Sequence, residues 1–165
     1  MRSAVAIDLD RALGDTRPLW HDFLVNVARR FGSIAPLDPA ALPDDRGAAA
    51  VELDRWAQAG IGDWRSALER FAEGRAPVYL RPRAEASRAL RALAAEGWRI
   101  GVFTDAPEPL ARVALAQLGA ARRVHTLEAG AGAYERLLAR LGPGASVVTT
   151  PEGLPRLVHE LPERP

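Results

Sequence analysis

The first apolar run of this 165-residue chain ends in Asp8-Leu9-Asp10, two carboxylates one residue apart directly after Val5-Ala6-Ile7. Two neighbouring carboxylates make a hard-oxygen site of the kind that suits Mg²⁺, and either acid can serve as a nucleophile. Asp-x-Asp also occurs in ordinary turns, so position decides its meaning. At the carboxyl end of a buried strand in an open parallel sheet, both acids would point to where ligands bind. The rest of the inventory narrows the chemistry. There is no cysteine, which removes thiolate nucleophiles, thiolate zinc sites and disulfides. There is also no lysine: all 22 basic residues are arginine, so any step that needs an ammonium group must use a guanidinium instead.

The elements that must position these acids follow from the apolar pattern. Short runs rich in Val, Ile or Phe predict buried strands at 4–9, 99–104, 124–127 and 146–149. Helical spacing predicts helices at 84–96, 107–118 and 133–141, each followed by a glycine that suits a helix C-terminus. Strands alternating with helices of this length imply βαβ units and a parallel α/β sheet sandwich. About 70 residues separate the first strand from the helix at Ala84, and they carry helical patterns of their own at 18–31, 47–59 and from Asp63 to Gly74. Six of the ten aromatics fall there, enough for a small core. The expected organisation is a core of residues 1–15 and 79–165 with a helical cap inserted at 16–78, its internal loop being the proline-rich stretch 35–43.

Asp8-Leu9-Asp10-Arg11-Ala12-Leu13-Gly14-Asp15-Thr16 resembles the opening motif of the haloacid dehalogenase-like hydrolases, D-x-D-G-T-L-x-D-S/T. The run from Leu90 through Gly97 to Val102-Phe103-Thr104-Asp105 resembles the approach to that family's second motif, where a strand ends in Thr or Ser, commonly followed by Asn. The two pieces occur in order, with a helical insert between them. The resemblance implies a three-layer Rossmann-like fold with a cap, and phosphatase chemistry. Asp8 would attack a phosphoryl group to give an aspartyl-phosphate, and Asp10 would protonate the leaving group and then activate water. Mg²⁺ would sit on Asp8 and the backbone carbonyl of Asp10, and Thr104 would hydrogen-bond the phosphate. The second acid also sets the chain apart from the metal-free dehalogenase branch.

The sequence departs from that pattern in four places. Arg11-Ala12 replaces Gly-Thr, and Asp105 replaces Asn. Placing Tyr134 against the tyrosine after the family's K-P-x-P puts Glu128 at the lysine position. The last strand ends in Thr149-Thr150 where Gly-Asp is expected, leaving Glu152 as the acid nearby. A lysine turned to glutamate converts an attraction of about 4 kcal/mol into a repulsion of similar size at ~4 Å and an effective dielectric near 20. These changes predict a degenerate member of the fold with weak or lost phosphatase activity that acts by binding a ligand or partner. Arg11 is expected to pair with Asp8, Asp10 or Asp105 and fill the vacant metal position. In the alternative, a Mg²⁺-dependent phosphatase of a small phosphorylated metabolite, Arg11, Arg122, Arg123 or Arg156 supplies the missing charge to the substrate. A phospho-acceptor receiver domain is disfavoured, because it lacks the insert and uses a lysine.

Charge and length bound the partners. Net charge is +1 and the first 83 residues hold twelve residues of each sign, which argues against nucleic acid as a bulk electrostatic partner. No segment approaches ~18 uncharged apolar residues, so no membrane span and a cytoplasmic location are expected. The three histidines have no metal-ligand spacing; His125 is expected to pack or hydrogen-bond beside its strand. After the fourth strand one short helix at 153–161 is expected, with no fifth strand. That leaves an open sheet edge, from which homodimerisation is expected.

Overall fold

The computed structural model describes residues 3–31 and 42–161. Four parallel strands form one sheet: β1 (Ala4–Asp8), β2 (Arg99–Thr104), β3 (Thr126–Ala129) and β4 (Ser146–Val148), in the order β3-β2-β1-β4. Between β1 and the next strand run α1 (Arg17–Phe31), α2 (Arg46–Gln58), α3 (Trp64–Tyr79) and α4 (Ala84–Ala95). α5 (Glu108–Gln117) joins β2 to β3, α6 (Ala133–Leu141) joins β3 to β4, and α7 (Gly153–His159) follows β4. This is the α/β parallel-sheet sandwich that the alternation of strands and helices implies. Among the described residues β4 lies at a sheet edge, paired on one side with β1 through Val5–Ser146, Ala6–Val147 and Ile7–Val148.

Side-chain alternation along β1 and β2 divides the two faces. Val5, Ile7, Ile100 and Val102 enter the large hydrophobic cluster on one side. Ala4 and Ala6 face the other side, where Leu137 and Leu141 of α6 pack on them. Small residues are needed there because the helix approaches closely: a Cβ on Gly101 would lie 2.6 Å from Leu137 Cδ1 and 3.0 Å from Leu141 Cδ1. α6 thus crosses the sheet nearly in contact with its backbone, and its N-terminus arrives beside the ends of β1 and β2.

The helices of the insert do not keep a core to themselves. Trp20, Phe23, Leu53, Trp64 and Leu68 belong to the same contiguous cluster as Ile7, Leu9, Val102 and Leu110. Aromatic rings knit α1 to α3, with centroids 5.7 Å apart for Phe23–Phe71 and 6.3 Å for Trp20–Trp64. α3 also packs on α5, which explains its length. The glycine at 74 suggests a stop, yet the helix continues through Gly74 and Pro77 to Tyr79. A mid-helix glycine costs only ~1 kcal/mol, and the fully buried Ala72 and Ala76 hold the helix on course. β3 begins two residues later than expected. His125 accounts for this: its backbone N–H donates to Ile100 O at 2.8 Å, and its Nδ1 accepts from Ile100 N at 3.1 Å, so the strand ladder starts only at Thr126. The proline-rich loop expected at 35–43 lies, apart from its last two residues, outside the described residues.

Candidate functional site

β1 ends at Asp8, and the chain turns at once into a π-helical turn, Leu9–Leu13, closed by a Gly14 N–H donating to Leu9 O at 2.9 Å. Leu9, Ala12 and Leu13 are buried beneath it. The turn therefore presents Asp8, Asp10 and Arg11 upward while its apolar side anchors it, so Arg11-Ala12 is accommodated where Gly-Thr was expected. β2 ends alongside and delivers Thr104 and Asp105. These residues, with Arg17, Arg46, Phe103, Gly130, Gly132, Ala133, Tyr134 and Glu135, line a cavity of about 320 Å³.

Asp10 is the hub of this cavity, and it is fully engaged. Its Oδ1 accepts from the backbone N–H of Thr16 at 2.8 Å and from the Thr16 hydroxyl. Its Oδ2 accepts from Thr104 Oγ1 and from Arg46 Nη2, each at 2.7 Å. Arg46 is the first residue of α2 and only 4% exposed. Its guanidinium also donates to Thr16 Oγ1 at 2.7 Å and pairs with Asp105. Burial alone would raise the pKa of Asp10, but the Arg46 charge and the hydrogen bonds from Thr16 and Thr104 outweigh it and hold the carboxyl below its ordinary range. Thr104 Oγ1 is engaged from its other side, accepting from Ala106 N at 3.1 Å.

Asp8 is in the opposite situation. It accepts a long hydrogen bond, 3.3 Å, from the backbone N–H of Arg11, with a weaker contribution from the Asp10 backbone. Burial pushes its carboxyl upward, only partly offset by that bond and the nearby guanidinium. The Arg11 side chain is 69% exposed and stands 3.9 Å from Asp8. Sequence reading expected Arg11 to pair with one of the three acids in the vacant metal position. In the structure it reaches Asp8 alone, and loosely, while Asp10 and Asp105 are taken by Arg46. Arg122, Arg123 and Arg156 do not line the cavity.

Glu128 also differs from expectation. It sits near the end of β3, mostly buried, and takes Arg136 Nε at 2.9 Å and Arg140 Nε at 2.8 Å. Arg136 further donates to the Ala129 and Ala131 carbonyls, which ties the 129–132 loop to α6. Glu128 lies outside the cavity lining, so its charge is neutralised locally and does not face an incoming anion.

Arg46 is the residue that sequence reasoning missed. One local signal existed. Asp45 caps α2 by accepting from Ala48 N at 2.8 Å, and Arg46 then occupies the first helical position. A cation there opposes the helix dipole, so its presence points to a partner elsewhere in the fold.

Mg²⁺, which the resemblance implies on Asp8 and the Asp10 carbonyl, is usually held by one or two carboxylates, with waters and substrate oxygens completing its octahedron. Asp8 brings one uncommitted carboxylate, whereas that of Asp10 is filled by four donors. Glu152 and the Thr149–Thr150 pair after β4 do not reach the cavity. Among the described residues no three His, Asp or Glu side chains gather to hold an ion. Asp8 and the Asp10 carbonyl are thus the donors that would hold Mg²⁺ together with waters and substrate oxygens, while the carboxylates of Asp10 and Asp105 are both paired with Arg46.

No protein-family model matches the sequence, and comparison with curated proteins likewise gives no match. Solved structures do match. One is a Thermotoga maritima protein provisionally described as a beta-phosphoglucomutase, which aligns over 96% of this chain and 99% of its own with a TM-score of 0.54 and 15% identity. The chain has the haloacid dehalogenase-like fold. Asp8 and Thr104 line one cavity at the carboxyl ends of β1 and β2. Among the described residues, no helix is long and apolar enough to cross a membrane.

Proposed function

We propose that this chain is a degenerate haloacid dehalogenase-fold protein in which phosphatase activity is weak or lost, and that it acts by binding a ligand or partner in the Asp8 cavity. The observation that carries this reading is the state of Asp10. A general acid–base works best with a pKa near the operating pH, so that it can hold and release a proton. Asp10 instead has all its lone-pair directions filled by Thr16, Thr104 and the buried Arg46, which favour the carboxylate and leave no place for a proton. Thr104, the phosphate-contacting residue by resemblance, spends its hydroxyl proton on Asp10. The pairing of Asp10 and Asp105, the other acids at the ends of β1 and β2, with Arg46 supports the same reading.

A second reading, a Mg²⁺-dependent phosphatase of a small phosphorylated metabolite working through an aspartyl-phosphate on Asp8, is favoured by one observation. Asp8 is poised at the end of β1, weakly hydrogen-bonded and open to the cavity. Phosphate release from a panel of phosphorylated metabolites, with Mg²⁺ and with EDTA, beside Asp8→Asn, separates the two. Release no greater than that of the folded variant is expected; Mg²⁺-dependent turnover lost in Asp8→Asn would establish the phosphatase. The open edge of β4, where Val147 is exposed, further supports a homodimer as one partner, to be read by gel filtration at high concentration.

A further inference from the structure

A second cavity, of about 510 Å³, adjoins the first. One wall is apolar, built by Trp20, Leu24 and Val25 of α1 with Leu42 and Pro43, while His21, Asp44 and Asp45 line its polar side. The two cavities share three residues, Arg17, Arg46 and Asp105. The Arg46–Asp105 pair therefore stands between the chamber at Asp8 and a second chamber whose α1 side is apolar.

The two acids on Arg46 are not held alike. Asp10 is buried and keeps three other hydrogen bonds, from Thr16 N, Thr16 Oγ1 and Thr104 Oγ1. Asp105 is 61% exposed, and Arg46 is its one hydrogen-bond partner among the described residues. An exposed carboxylate with a single partner returns to water at little cost, because solvation replaces most of what the pair supplied. A buried one does not. Of the two, Asp105 is the exchangeable partner, and its departure would open the passage between the chambers and leave one guanidinium N–H direction unfilled. The third shared residue, Arg17, forks Asp15 through Nε and Nη2, both at 2.8 Å, and adds a cation to the same wall.

We propose that the two cavities form one binding site for a small molecule that joins an oxyanion to an apolar body. The oxyanion displaces Asp105 from Arg46 and the apolar body lies along Trp20, Leu24 and Val25. This rests on the reading of the Asp8 cavity as a binding site and names the class of ligand that it takes. Asp10 stays paired throughout, so binding requires no transfer chemistry.

The test uses phenyl phosphate, inorganic phosphate and benzyl alcohol as probes, titrated calorimetrically into the full-length Asp8→Asn protein, which cannot form an aspartyl-phosphate. Phenyl phosphate is expected to bind at least tenfold more tightly than either fragment. Asp105→Ala, at an exposed position, removes the competitor and should tighten phenyl phosphate and inorganic phosphate severalfold. Val25→Asn, an uncharged polar change on the exposed rim of the apolar wall, should weaken phenyl phosphate while leaving inorganic phosphate unchanged. Equal affinity for phenyl phosphate and inorganic phosphate, or Asp105→Ala that weakens or fails to alter phosphate binding, would overturn the proposal. Because these are affinities in a variant without the nucleophile, they are read independently of whether the wild-type protein releases phosphate.

Discussion

Replacing Arg46 by glutamine should be the most informative single change in this molecule. The guanidinium is 4% exposed and the Asp10 side chain 8%, so the pair is buried and solvent cannot repair its loss. The substitution removes the charge opposite Asp10 and the donors to Asp10, Asp105 and Thr16 Oγ1. Breaking a buried ion pair from one side costs about 3–5 kcal/mol. The lower end applies here, about 3 kcal/mol, because Asp10 keeps three hydrogen bonds and Asp105 can turn to water. For a chain of this size that corresponds to a fall in Tm of roughly 6–12 °C. The pH dependence tests the cause. A carboxyl whose folded pKa lies below its unfolded value contributes stability that is present above the unfolded pKa, about 3.9, and lost as pH falls through the folded one. The gap between wild type and Arg46→Gln should therefore be full at pH 7 and narrow in acid, once protonation removes the charge that the variant leaves unpaired. Urea unfolding at pH 7 and in steps down towards pH 3 measures both. A loss under about 0.5 kcal/mol at pH 7, the range of ordinary surface substitutions, would refute the reasoning, as would a loss that does not vary with pH.

Three further outcomes are expected. Asp8 is the mirror case: its folded pKa is raised by burial, so its charge opposes folding above that pKa, and Asp8→Asn should raise Tm at pH 7 with the gain disappearing in acid. Glu128→Lys, which restores the lysine of the resembling family, should yield no phosphate release and should lower Tm, since it sets a third cation between Arg136 and Arg140; gained turnover would show that this position faces the cavity after all. Gly101→Ala should cost about 1–3 kcal/mol in chemical unfolding by pushing α6 off the sheet through Leu137 and Leu141, and a neutral result would mean that those side chains have room to move.

Much of the framework was legible because it is written in local patterns. Apolar runs of four to six residues and helices closed by glycine report burial within a few residues of chain, and they placed β1, β2, β4, α4, α5 and α6 within about two residues. Errors arose where tertiary contact overrode a local signal. Gly74 did not end α3 because Ala72 and Ala76 are buried along it, and β3 started late because His125 caps Ile100. The candidate site divides in the same way. That Asp8 ends an apolar run with Asp10 just beyond it, that Thr104 ends another, and that the chain has no lysine to meet a phosphate are all properties of the sequence itself. Which cation then stands against those acids is not. Arg11, three residues from Asp8, does pair with it, but loosely, because the π-helical turn leaves most of its side chain in solvent. Arg46 lies 36 residues from Asp10 and became the partner because the packing of α1 and α3 on the core brings the start of α2 over the cavity. A guanidinium's reach depends on where its helix begins in space, and no periodicity in the chain encodes that distance. Only the folded arrangement could decide that Asp10 is filled rather than free.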